Sequence, residues 1–142
     1  MGCLLVDISD LLKEHISKCT DIRIDRVYTA DIETHLTSGD RILIMPRSVS
    51  HKKISRGITE CEIRVEVALV ALVDEDRTSL DRCMESVEAI QNHVMDSTLG
   101  GLYKCQSVAQ DVAYVPELID QRSIFASVFT AVFIASLRHD ES

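Results

Sequence analysis

Tryptophan is absent from this chain of 142 residues, and aromatic residues make up only 4% of it. A core built on large rings is therefore excluded, and Val, Ile, Leu and Ala must supply the buried surface. The five cysteines (Cys3, Cys19, Cys61, Cys83 and Cys105) are odd in number and contain no CxxC pair. That pattern argues against a disulfide framework and against a cysteine zinc site, and fits reduced thiols in a cytosolic protein. Positive charge is also scarce. Lys and Arg number 15 against 23 Asp and Glu, for a formal net charge of −8. An acidic chain is a poor general binder of nucleic acid, because phosphate neutralisation drives that affinity.

Long apolar runs are missing too. The longest, Ile124 to Leu137, is too short to span a bilayer as a helix and carries Ser127, Thr130 and Ser136. The start, MGCLLVDISD, has no basic region and reaches Asp7 early, unlike a signal peptide. Its Met-Gly-Cys opening lacks the Ser or Thr that myristoylation wants at position 6, where Val6 stands. A soluble protein is expected. No GxGxxG, P-loop, HExxH, GxSxG or EF-hand pattern occurs. We expect no catalytic residues, no cofactor and no resident metal.

What is present is a normal globular mixture, 46% hydrophobic and 27% charged, enough for one domain over residues 1–142 and against intrinsic disorder. Leu4, Leu5, Ile8, Leu11, Leu12 and Ile16 recur at helical spacing and predict an amphipathic helix over 3–18. A polar arm, about 20–40, follows, in which Ile22, Ile24 and Val27 allow a short edge strand. Arg41–Arg47 reads as a strand in which Pro46 marks a strand end or a sheet edge, and 59–73 as the clearest strand. In the latter, Cys61, Ile63, Val65, Val67, Leu69, Ala71 and Val73 share one side. Thr78 or Ser79 can cap a second helix running to about 96 on Leu80, Cys83, Met84, Val87, Ile90 and Val94. Gly100-Gly101 ends that unit. Strands over 102–115, stopped by Pro116, and over 124–137 complete the chain, with a loose tail at 138–142. The order α-β-β-α-β-β predicts an α+β domain. Its largely antiparallel sheet has four or so strands, with two helices packed on one face.

Strand length bears on assembly. A strand of about 15 residues spans about 50 Å, whereas a globule of this size is about 35–40 Å across. The long strands must curl, break at bulges or project. In the last strand Phe125, Phe129 and Phe133 line one side and Ile124, Val128, Val132 and Ile134 the other. Two helices cover one face, so the second is expected to be covered by another copy, in preference to a sheet curved tightly enough to bury itself. Phe129 and Val132 are the contact residues this suggests. The one local charge anomaly is RSVSHKKISRG, where Arg47, Lys52, Lys53 and Arg56 meet no acid. It is either a solvated hairpin tip, or a docking site for an acidic partner surface or a place where DNA brushes past. His15, His35, His51, His93 and His139 are scattered and favour no metal site. Nothing in the sequence positions a Cys/His nucleophile pair.

The texture of the chain resembles the tail-terminator (tail-completion) proteins of tailed bacteriophages. The resemblance runs over about residues 3 to 137. Its carriers are LLVDISDLLKEHI, the long strand CEIRVEVALVALV, the acidic turn DEDRTSLD opening a helix, the Gly-Gly turn, AYVPEL and SIFASVFTAVFIASL. The resemblance implies a structural virion protein in the tail or neck, assembled in the host cytoplasm. It implies a homo-oligomer, a sixfold ring closing the tail tube, with the tube protein and a head connector as partners. DNA would pass through the lumen without specific binding, and an acidic chain suits such a lumen. The competing readings are another neck or head-completion connector, a small α+β enzyme, or an oligomeric ligand-binding domain unrelated to phage.

Overall fold

The computed structural model describes residues 3–28, 40–73 and 77–138. Helix α1 (Leu4–Ser17) leads to strand β1 (Arg23–Arg26), then β2 (Arg41–Ser55) and β3 (Ile58–Leu72). Helix α2 (Arg77–Met95), the short β4 (Thr98–Leu99), β5 (Tyr103–Val112), helix α3 (Pro116–Arg122) and β6 (Ile124–Arg138) follow. The strands form one sheet in the order β1-β2-β3-β6-β5-β4. Every pairing is antiparallel except β1 with β2, which is parallel.

The expected α+β class holds, with two strands and one helix more than the sequence suggested. The extra elements are short. β1 lies within the stretch read as a polar arm, whose residues 29–39 are outside the described residues. Helix α3 begins at Pro116, which was read only as a strand stop. Proline's fixed φ also suits the first helical position, where its missing N–H costs nothing. Ser123 closes α3 in the left-handed region, at φ 55, with its N–H bonded to the Ile119 carbonyl.

The predicted alternation in β3 sets the layers. Cys61, Ile63, Val65, Val67, Leu69 and Ala71 face the helix side, opposite Ala135, Phe133, Ala131, Phe129, Ser127 and Phe125 of β6. Ile8, Leu12 and Ile16 of α1 and Val87, Ile90 and Val94 of α2 bury against them. Helix spacing explains which residues are chosen, since positions three and four apart share one face. Thr78 and Ser79 fall inside the first turn of α2 rather than before it, and Gly100-Gly101 turns β4 into β5 rather than capping a helix. Both glycines have positive φ, and a Cβ on Gly100 would sit 3.3 Å from Leu11.

The second face corrects the argument for cover by another copy. At the β1 end, Leu43, Met45, Ala68, Val70 and Ile124 form their own buried cluster, with Val27, Leu118 of α3 and Val128 packed against it. The chain covers this half of its second face itself. The expected interface residue Phe129 lies under the helices and is 2% exposed, because β6 alternates and odd positions face the helix side. It is a core residue. Val132 faces the other side, opposite Arg64, and is also buried within the single chain.

Candidate assembly interface

The basic segment is strand, not loop. β2 continues past Pro46 through one irregularity (Pro46/Ser48) and a second (Lys53/Ser55), and turns at Arg56-Gly57 so that Ser55 faces Ile58. Bulges let a strand absorb a residue that breaks the ladder, which is how β2 survives Pro46. Gly57 supplies the positive φ of 81 that the turn needs. From Ser50 to Ser55 every β2 residue is exposed, on both faces. Lys53 and His51 lie on the helix side, and Lys52 on the other.

The four candidate cations part company here. Arg47 reaches back to Glu66 at 3.0 Å and donates to the Met45 sulfur, so it is tied within its own hairpin. Lys52 and Lys53 form no ion pair among the described residues. Arg56 sits in the turn. Beyond Ile44, where β1 ends, the outer edge of β2 has no strand beside it among the described residues. At the other side of the sheet, β4 pairs only with Tyr103 and Lys104, so β5 is open from Gln106 to Val112. An open edge presents unpaired N–H and C=O groups and invites another chain.

Above the open edge of β5, between it and α2, lies a groove of about 570 Å³ lined by Asp81, Met84, Glu85, Val87, Glu88, Gln91, Asn92 and Gln110. Its lining has three carboxylates and no cation. The Nε2 of Gln91 is buried there without a hydrogen-bond partner among the described residues.

Two side-chain pairs emerge that sequence spacing does not reveal. The rings of His15 and His93 stack with centroids 4.0 Å apart. Each Nε2–H donates to the other residue's carbonyl, at 3.0 and 2.8 Å. This clamp joins α1 to α2 and uses the edge-of-stripe positions that were read as helix surface. On the sheet, His51 stands opposite Cys61, with Nδ1 3.2 Å from the sulfur. A Cys/His pair is thus positioned after all. Its chemistry is muted, because Cys61 is fully buried and burial pushes its thiol up. A nucleophile needs an accessible thiolate, so the pair here serves as a hydrogen bond between β2 and β3. Tyr103, at the same level on β5, is likewise pushed up by burial, then by Asp7 and Cys61.

His35 and His139 lie outside the described residues, as do Asp74, Glu75 and Asp76 of the acidic turn. Among the described residues no three His, Cys, Asp or Glu side chains converge, and no helix is long and apolar enough to cross a membrane. No family model matches the chain, and no curated protein matches it in sequence.

Proposed function

We propose that this chain is a structural subunit that closes as a ring on the end of a phage tail tube, ending tube growth and offering a surface to the head connector. One observation carries the assembly part of the reading. β2, β3 and β6 are each 15 residues long, about 50 Å at strand rise. Helices α1 and α2, at 14 and 19 residues, reach only about 21 and 28 Å. The sheet thus outruns its helical layer, and β2 ends in six consecutive exposed residues. Ordering such an extension costs backbone entropy that burial within one chain does not return. A neighbouring subunit would return it.

The tail-end part of the reading rests on the resemblance in texture, and the net charge of −8 agrees with a lumen that lets DNA slide. The sixfold number comes from the same resemblance. Electron microscopy of particles from a phage or prophage lacking this gene tests the reading. Tails of excessive, uncontrolled length are expected. Normal tails beside detached heads would move the protein to the neck, and unchanged virions would overturn the proposal.

A further inference from the structure

Among the described residues the sheet has two open edges, and they carry opposite charge. The outer edge of β2 offers Lys52 and Lys53 around an exposed Ile54. The outer edge of β5 is roofed by the groove that holds Asp81, Glu85 and Glu88, with Met84 and Val87 as its apolar part. We infer that the β2 end of one copy docks on the α2–β5 edge of a second copy, Lys53 entering the acidic groove.

The faces match if one sheet continues into the next. Lys53 and His51 lie on the helix side of β2, and the neighbour's α2 lies on the helix side of β5, where Gln110 faces Phe129. Lys52 lies on the other side, where the neighbour's Asp111 reaches Thr130. Each lysine thus meets acid on its own face. Ile54, 52% exposed, supplies the apolar component that a docking contact between charged rims needs. The contact is head-to-tail, using two different surfaces, so it closes into a ring when the rotation allows. The open stretches sit at different levels of the sheet. Ser48 to Ser55 lies toward the hairpin end, whereas Gln110 and Val112 lie level with Phe129 and Val128. Paired copies are therefore staggered along the strands, which a closed ring accommodates as strand tilt.

This inference rests on the ring reading and names its contact, so the test separates the two. Lys52→Glu/Lys53→Glu makes the β2 end acidic, and Glu85→Lys/Glu88→Lys makes the groove basic. All four side chains are solvent-facing, so both variants keep the fold, as circular dichroism and a thermal melt will show. Analytical ultracentrifugation then reads association. Wild type assembles. Each variant alone meets like charge and associates about a hundredfold more weakly. An equimolar mixture regains assembly, because each variant's β2 end now faces the other's groove. Wild-type-like assembly by either variant alone, or a mixture that stays monomeric, overturns this contact and leaves the ring reading standing. A wild-type chain that stays monomeric at its highest soluble concentration overturns both.

Discussion

The two ends of β2 share one ladder and differ in everything else. At its start, Ile42, Leu43, Ile44 and Met45 are buried on both faces, between the helices on one side and Val27, Leu118 and their neighbours on the other. At its end, Ser50 to Ser55 are exposed on both faces. Hydrogen bonding to β3 continues throughout, so backbone pairing alone does not distinguish them. The first end is held by burial, at about 25 cal/mol per Å² of apolar surface. The second is held by its turn and by its ladder to β3, which pairs in turn with β6. One strand thus combines a buried half with an exposed half, and the boundary falls at the Pro46/Ser48 irregularity.

Truncation at the buried level should separate the two ends most sharply. Phe129→Ala removes a ring buried in the helix-side core, and is expected to cost about 3–5 kcal/mol of folding stability in urea unfolding. Ile54→Ala, in the exposed end, is expected to change folding stability by less than about 0.5 kcal/mol while weakening association. Similar losses at both positions would break the comparison and mean that the hairpin end is part of the core.

The turn offers a finer cut. Gly57→Ala places a side chain at φ 81, at an expected cost of about 1–2 kcal/mol. If the hairpin end forms in the isolated chain, equilibrium unfolding will register that loss. An unaltered midpoint with weaker self-association would show instead that the end becomes ordered only on docking.

Much of this division was legible in the sequence, and its limits are physical. β3 could be read almost to the residue because a half-buried strand alternates with period two. α1 and α2 could be read from their stripes. The second half of β2 could not. Exposed on both faces, Ser50 to Ser55 show no alternation, and a strand without a buried face looks like a loop. β1 and α3, at four and seven residues, are too short for any period to register. The alternation groups Phe129 with Phe125 and Phe133 on one side of β6, but two apolar faces give no sign of which one the chain covers by itself. His15 and His93 meet across 78 positions of sequence, and no local pattern encodes that clamp. Of the candidate interface, the basic cluster was visible as charge. The acidic groove was not, because its carboxylates are helix-surface residues until Gln110 of β5 is brought beside them.

Alkaline pH gives the gentlest test of the same contrast, because the shifted groups, Cys19 at the exposed end of α1 excepted, belong to the helix-side core or pack against it. Cys61, Cys83 and Cys105 are all raised above the ordinary thiol value of 9.0 by burial, Cys83 further by Asp40, and Tyr103 is raised from 10.0. For an acid that ionises to an anion, a raised folded value means that the unfolded chain gives up its proton first. Below 9.0 both states hold the thiol protons and stability is at its full value. As pH climbs from there through the raised folded values, the unfolded state binds fewer protons than the native one, and stability falls. The urea midpoint should therefore be level at neutral pH and decline above 9.0. In Cys61→Ala/Cys105→Ala the decline should be shallower, after an initial loss of packing. Lys52→Ala/Lys53→Ala, in the exposed end, should leave the slope near that of wild type. An alkaline slope indifferent to the two cysteines would mean that their thiols ionise as freely in the folded chain as in the unfolded one, and would remove this distinction between a sealed half and an open half.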